Sequence, residues 1–390
     1  MHVMHMNAGE FVFPNDLNGV AWTIMIVLYP YITGLVAGAF VVAALYHVFG
    51  KKELAPVAKF ALAASFSFGA FATVPLLLHL HQPQRAFNIM FMPNFTSAMA
   101  GFGFIYSFYL TLLAVEILLV FRKDIVERAQ TTRGVVRLLY FALALGVVRD
   151  TPQSRAVDRK WIAALSVIGI PSACVLHGYV GFIFGGIKAN PWWSTALMPV
   201  IFLSSAIVSG VAMLVLLYML FSKVRRVPVD DECLRSMMRT LWLFLILAVT
   251  LESLELLNMA YEAGAEWHML SQLITDKLAF SFQVLQIGLG SLIPLVLLPI
   301  GFSKARSAGM RRAIATFTGL LVLMQVLSMR WNVVIGGQML SKSFRGFINY
   351  TPELGGHEGL LVGIAVFCLP FILLTVVSQI LPLWTGEEEH

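Results

Sequence analysis

Nine long apolar segments constrain this chain more than any other feature, because each is long enough to cross most or all of a lipid bilayer. They hold few charges and are bounded by charged residues, prolines or glycines. The composition, 58% hydrophobic and 12% charged, excludes an ordinary water-soluble domain. The sequence predicts an all-α polytopic membrane protein with nine transmembrane helices, near residues 20–49, 60–79, 98–121, 161–184, 198–222, 240–261, 278–302, 313–335 and 359–384.

The distribution of basic residues predicts the orientation of these helices. The connections after the first, third, fifth and seventh segments carry 21 of the 27 Lys and Arg residues. Cytoplasmic loops are enriched in these residues, so we expect the N-terminus outside and the C-terminus in the cytoplasm. The net charge of +6 then reflects topology and does not indicate nucleic-acid binding.

The connection at residues 122–160 contains an apolar stretch, residues 135–148, that is too short to span the bilayer. We interpret it as an interfacial helix on the cytoplasmic side, and a tenth span is the alternative.

Cysteine and histidine positions bear on metal binding. Cys174, Cys233 and Cys368 are far apart and have no paired spacing, so we expect no iron–sulfur cluster, other metal site or disulfide framework in this chain. We also expect no haem, because a membrane cytochrome b usually has two matched histidine pairs. One haem held by His79 or His81 with His177 is the alternative.

Polar residues gather where the second segment meets the outer side. His79, His81 and Arg85 lie within seven residues there, and His177 and Tyr179 lie at the same predicted depth in the fourth segment. Imidazoles exchange protons near neutral pH, and a phenol can hydrogen-bond a carbonyl oxygen. We therefore predict that these five residues bind a quinone head group. A purely structural role is the alternative for His177.

Three carboxylates lie within the apolar segments, where ionisable groups are costly and are functional candidates. Glu252 and Glu255 are three residues apart on one helical face of the sixth segment, and Glu116 lies near the inner end of the third. We interpret them as a proton path. The alternatives are interhelical hydrogen bonds for the pair and an ion pair with Arg122 for Glu116.

Two further patterns predict contacts. Arg330 and Gln338 lie near the outer end of the eighth segment, where we expect them to contact a partner protein or a lipid head group. For Arg330, an ion pair with an outer carboxylate such as Glu262 is the alternative. Gly34 and Gly38 form a Gly-x-x-x-Gly pattern, which predicts close packing of the first helix against another helix.

The sequence resembles the NrfD/PsrC family, the quinone-interacting membrane subunits of polysulfide reductase, nitrite reductase, hydrogenase-2, alternative complex III and the Dsr complex. The resemblance is in the run at residues 79–85 with the Pro-Asn-Phe turn at 93–95, the Tyr-x-Gly at 179–181, and the Arg-Trp-Asn run that continues to Gln338. His79 stands where the family has an acidic residue, so an ionisable group is kept but a carboxylate is not.

The resemblance implies two four-helix bundles and a ninth helix outside them. It also implies a menaquinone or related quinone site near the outer face, with Tyr179 close to it, beside a ferredoxin-like iron–sulfur subunit. The predicted units are an outer segment at residues 1–19, bundles at 20–184 and 185–335, an outer loop at 336–357, and the ninth helix with a cytoplasmic tail at 358–390.

We therefore expect a subunit of a quinone-dependent oxidoreductase in the cytoplasmic membrane of a prokaryote. It would contact lipids and further redox subunits, and it would be able to couple electron transfer to proton movement. The alternatives are a secondary transporter, which predicts a midplane site between inverted repeats, and a passive anchor without a quinone site.

Overall fold

The computed structural model describes residues 11–12, 19–264 and 266–384. Within these ranges nine helices are long and apolar enough to cross a membrane and no β-strand forms, which confirms the predicted fold class. Most of the predicted outer segment and the last six residues of the predicted tail lie outside the described residues. The nine helices, α1 to α9, are Ile24–His47, Lys52–His79, Ala98–Val120, Pro152–Gly185, Met198–Arg225, Asp231–Glu262, Ala279–Phe302, Ala308–Met339 and Leu360–Ile380.

The first eight of these helices form two four-helix bundles. In the first bundle each of α1 to α4 packs against the next and α4 packs back on α1; α5 to α8 repeat this arrangement. The bundles meet where α1 and α4 pack on α5, and α9 packs outside the first bundle on α2 and α1. The two bundles and the peripheral ninth helix are therefore confirmed. The orientation in the membrane stays a prediction, and "outer" below refers to it.

The helix α2 is interrupted close to its outer end. One helix covers Ala55–Phe71 and a short second helix, Val74–His79, begins after a two-residue turn. Pro75 lies in the first turn of the second helix, where its missing N–H removes no helical hydrogen bond. Leu80 then has an extended backbone, with φ −74° and ψ 129°, so the helix ends at His79. This ending places His79 at the rim of the first bundle.

Wide helical turns occur in α7 and α8. Residues Ala279–Leu292 and Asn332–Gly336 are π-helical, a rare conformation that is often found at functional sites. Each stretch contains a buried amide side chain, Gln286 in α7 and Asn332 in α8. The π turns therefore coincide with the polar interior of the second bundle.

The inner connection after α3 contains two short helices, Arg122–Thr131 and Gly134–Leu143. The second is apolar but only 10 residues long, so the predicted short non-spanning helix is confirmed. The next helix, α4, begins at Pro152 rather than near residue 161, because the side chain of Thr151 caps the backbone N–H of Ser154 at 3.1 Å and starts a polar extension of the helix.

The backbones of α1 and α5 touch. A Cβ atom added at Gly38 would lie 2.4 Å from the carbonyl oxygen of Ile207 and 2.6 Å from the Cα atom of Gly210. One turn earlier, Gly34 faces Ala206. The close packing predicted from the Gly-x-x-x-Gly pattern is confirmed.

Replacing Gly38 with alanine should destabilise the protein, because the new methyl group meets backbone atoms of α5. Overpacking of this kind typically costs about 1–3 kcal/mol, so we expect a lower melting temperature of the detergent-solubilised protein. Gly309→Ala is the control, since a Cβ atom there meets nothing within 4 Å. Equal melting temperatures for the two variants would contradict the backbone contact.

Candidate functional site

A large cavity lies in the outer half of the first bundle. Its volume is about 820 Å³, and α1 to α4 and the connection after α2 enclose it. Apolar side chains such as Leu76, Phe102 and Phe184 form most of its wall. A cavity of this size, with apolar walls and a few polar groups, is typical of a small-molecule site.

Three of the five predicted quinone-binding residues line this cavity, namely His79, His81 and Arg85. His79 ends α2, and the other two lie in the exposed turn that follows. Tyr106 adds a phenol to the wall, and its hydroxyl donates to the carbonyl oxygen of Gly69 at 2.6 Å. Imidazole and guanidinium groups thus stand at the rim of an apolar chamber.

His79 has a carboxylate neighbour that the sequence analysis missed. Oε2 of Glu358 lies 3.3 Å from Nδ1 of His79, and the two side chains are 18% and 21% exposed. Oε1 of Glu358 lies 3.5 Å from Nε2 of His357. The sequence did contain a signal for this neighbour, because Glu358 is an acidic residue directly before the ninth apolar segment, on the predicted outer side.

The other two predicted quinone-binding residues, His177 and Tyr179, do not line the cavity. Tyr179 donates its hydroxyl proton to the carbonyl oxygen of Ala98 at 2.7 Å, which holds α4 against the start of α3. His177 is buried and lies within electrostatic range of Arg330 in the second bundle. Val180, three residues along the same face of α4, does line the cavity, so His177 lies about one helical turn away from the cavity wall. The structure therefore divides the predicted five-residue site.

A series of hydrogen bonds joins α6, α7 and α8 inside the second bundle. Gln286 donates to Glu252 at 2.9 Å, and Asn332 donates to Gln286 at 2.8 Å. Ser281 donates to the side-chain oxygen of Asn332 at 2.6 Å. The second carboxylate oxygen of Glu252 is buried and has no hydrogen-bond partner among the described residues. It is therefore available to a proton or a water molecule.

Glu255 connects this hydrogen-bonded series to the outer side. It lines a cavity of about 60 Å³ together with Glu252, and also an outer cleft of about 650 Å³. The small cavity is large enough for water. Glu262 also lines the cleft and accepts a hydrogen bond from Asn258 at 3.1 Å. The carboxylate stripe predicted on α6 thus runs from an open cleft to a buried end at Glu252.

Arg330 is buried, which corrects the prediction that it contacts a partner or a lipid head group. It is 1% exposed, and its guanidinium donates to Oγ of Ser205 at 2.8 Å and to the carbonyl oxygen of Phe202 at 3.1 Å. The guanidinium carbon also lies 3.8 Å from the centroid of the Phe202 ring. Both Glu252 and His177 are within electrostatic range. A buried cation needs such partners.

Gln338 also points inward, contrary to its predicted surface role. Its side chain accepts from the backbone N–H of Trp22 at 2.8 Å and donates to the carbonyl oxygen of Trp22 at 3.2 Å and to that of Val334 at 2.8 Å. It therefore fixes the segment entering α1 against the end of α8. Since Trp22 lines the large cavity, Gln338 supports that wall.

Glu116 is separated from the carboxylates of α6. It is fully buried between α3 and α4 and accepts a hydrogen bond from Ser166. Arg122 pairs with Asp158 at 2.7 Å, so the alternative pairing of Arg122 with Glu116 is wrong. Because α3 belongs to the first bundle and α6 to the second, the described hydrogen bonds do not join the three carboxylates into one path.

The cysteines remain apart in the fold. Cys174, Cys233 and Cys368 are free thiols. In the part of the protein that the structure describes, no three His, Cys, Asp or Glu side chains are grouped so that they could hold a metal ion.

Sequence comparisons with known proteins find matches along most of the chain. The family model described as polysulphide reductase, NrfD, matches residues 12–341. A selenate reductase subunit of Mesobacillus selenatarsenatis is 28% identical, over 95% of this chain and 87% of that protein. A polysulfide reductase polypeptide of Wolinella succinogenes is 24% identical, over 82% and 95%. The Hdr-like menaquinol oxidoreductase integral membrane subunit of Archaeoglobus fulgidus is 25% identical, over 95% and 88%.

The family match covers both four-helix bundles and includes the cavity rim, the α6 carboxylates and Arg330. The relatives' names describe subunits of reductases and of a menaquinol oxidoreductase. This chain is a multi-pass membrane protein and belongs to the NrfD family of polysulphide reductase proteins.

Proposed function

We propose that this chain is the quinone-interacting membrane subunit of a multi-subunit oxidoreductase in the cytoplasmic membrane of a prokaryote. The observation that carries the proposal is the 820 Å³ cavity, with apolar walls and with His79, His81 and Arg85 at its outer rim. An isoprenoid quinone has a polar head group and an apolar tail, so it fits both parts of this cavity. The menaquinol in the name of the Archaeoglobus fulgidus relative supports menaquinone as the substrate.

The residues of the rim then have separate tasks. His79 and His81 exchange protons with the head-group oxygens, and Arg85 donates hydrogen bonds to them. The aromatic wall at Phe102 and Tyr106 packs against the quinone ring. We assign His177 and Tyr179 to holding α4 in place, because they lie outside the cavity wall. Electrons pass between the quinone and the iron–sulfur cluster of a partner subunit.

The partner is proposed to dock beside the cavity mouth. Phe87, Phe91, Met92 and Phe95 in the connection after α2 are 65–87% exposed. Because this connection lies between two spanning helices and not within one, its exposed apolar patch supports a contact with a partner protein. The same connection carries His81 and Arg85, so a ferredoxin-like iron–sulfur subunit seated here would lie next to the quinone.

Proton movement is assigned to the second bundle. Protons would enter or leave through the outer cleft, pass Glu255, and reach Glu252 at the buried end of the hydrogen-bonded series. Water in the small cavity would bridge the two carboxylates. Glu116 would hold a proton in the inner half of the first bundle, apart from this route.

The assignment of the quinone to this cavity can be tested by filling part of the cavity with a larger side chain. Ser107 lines the cavity, so Ser107→Phe should fill space that the quinone needs and lower quinone affinity about 10-fold or more, which is roughly the loss of 1.4 kcal/mol. Quinone content of the purified complex and displacement by a quinone analogue measure this. Thr111→Phe, one turn further along α3 and exposed, is the control. Unchanged quinone binding in Ser107→Phe would place the site elsewhere.

Partner docking gives a separate prediction. Replacing Phe91 and Phe95 together with serine should release the iron–sulfur subunit during purification, because the variant loses apolar surface that the partner would cover. Subunit stoichiometry after affinity purification measures this. Phe49→Ser, two residues beyond the inner end of α1 and 65% exposed, serves as the control. Full retention of the partner by the double variant would refute this docking surface.

The role of Glu252 in proton movement is also testable. Glu252→Gln keeps the shape of the side chain but removes the group that binds a proton, so it should lower the ratio of protons moved to electrons transferred. Electron transfer from quinol to the partner should keep about half of its rate or more, because the cavity is in the other bundle; a loss of that size is below about 1 kcal/mol. Proteoliposomes with a pH indicator measure the ratio. Glu232→Gln, at the exposed inner end of α6, is the control. An unaltered ratio in Glu252→Gln would remove Glu252 from the path.

A further inference from the structure

We propose that Glu358 is a positioning residue for His79, and that the two side chains carry a proton between the quinone and the outer solution. The inference rests on the proposed function, since it takes the first-bundle cavity to be the quinone site. Its structural basis is the distance of 3.3 Å between Oε2 of Glu358 and Nδ1 of His79, at the rim of that cavity.

The ring of His79 lines the cavity, and its Nδ1 lies beside the carboxylate of Glu358. Nδ1 is buried and has no hydrogen-bond partner among the described residues, and the carboxylate of Glu358 is the negative charge beside it. This charge favours the tautomer that carries its proton on Nδ1, because it stabilises an N–H on that side of the ring. The lone pair of Nε2 is on the opposite edge of the ring and is left for a ligand in the cavity. Glu358 therefore prepares His79 to accept a proton from a quinol hydroxyl.

The loop that carries Glu358 is held firmly by its own backbone. The N–H of Leu360 donates to the carbonyl oxygen of Glu353 at 2.8 Å, and the N–H of Leu361 donates to that of Leu354 at 3.2 Å. A Cβ atom at Gly359 would lie 2.2 Å from the carbonyl oxygen of Gly355, so the turn is tight. Glu358 is thus presented to His79 from a fixed position at the start of α9.

The charged and titratable neighbours of His79 and Glu358 define the route by which a proton reaches the outer solution. His357 lies 3.5 Å from Oε1 of Glu358 and is 73% exposed, so it connects the pair to solvent. Burial raises the pKa of Tyr350 in the same loop, and the carboxylates of Glu358 and Glu353 raise it further, so this phenol stays neutral. Along the rim, His81 and Arg85 are the other groups that can carry positive charge.

Oxidation of a quinol removes two electrons, which go to the iron–sulfur partner, and two protons. One quinol O–H bond breaks and its proton binds Nε2 of His79, while the Nδ1 proton moves to Glu358 and from there to water near His357. The second proton leaves to water at the cavity mouth. Quinone reduction uses the same steps in reverse.

The test compares intact complexes that contain the wild-type protein, Glu358→Gln, Glu358→Asp or Glu353→Gln. Glu353 is an exposed carboxylate of the same loop, so its glutamine variant is a matched control for charge. In Glu358→Gln we expect kcat for quinol oxidation to fall about 10-fold or more while KM and quinone content stay within about twofold, since a base is weakened but the cavity is kept. Glu358→Asp should recover part of kcat.

An infrared difference spectrum between oxidised and reduced quinone gives a second readout. It should contain a carboxyl band from Glu358 that is lost in Glu358→Gln and kept in Glu353→Gln. Wild-type kcat and an unchanged carboxyl band in Glu358→Gln would overturn this inference and leave the quinone site standing. Absence of bound quinone and of quinol oxidation in the wild-type complex would overturn the proposed function itself.

Discussion

The contact between α1 and α5 determines how the two bundles are placed relative to each other. Gly38 and Gly210 allow the two backbones to touch, and side chains larger than hydrogen at these positions would push the bundles apart. At this distance Arg330 of α8 reaches across α5, where it binds Ser205, and comes within electrostatic range of His177 on α4. The interactions of Arg330 with Ser205 and His177 therefore depend on the small residues at which α1 and α5 touch.

Much of the fold could be predicted from the sequence, because a bilayer imposes a length on every span and excludes charge from it. Nine spans, the short inner helix and the close packing at Gly38 follow from local patterns. The position of Glu252 and Glu255 on one side of α6 was also predictable, since residues three apart on one helix share a face whatever the surroundings. A single sequence therefore predicts which side chains of one helix lie close together, but not which side chains of different helices do.

The position of a residue relative to the cavities and to the neighbouring helices could not be predicted in the same way. His79 and His177 were assigned to one site because they share a predicted depth, but the cavity wall on α4 begins at Val180, one turn beyond His177. Arg330 was predicted to lie at the surface because it is near the end of the apolar segment. The helix α8 continues beyond it, and Gln338 close to the end of α8 still points into the protein. Glu358 pairs with His79 although the two are far apart in sequence, so no local pattern joined them.

The proposed quinone site is in the first bundle and the proposed proton route is in the second, so coupling between them has to cross from one bundle to the other. Coupling requires an element that contacts both sites and whose position both sites influence. The helix α4 lies beside both sites, since Val180 lines the cavity and His177 is within electrostatic range of Arg330, which in turn is within range of Glu252. A shift of α4 on quinone binding would change the distance between His177 and Arg330. Because Arg330 is buried among few partners, such a change would alter its interaction with Glu252 at the end of the proton route.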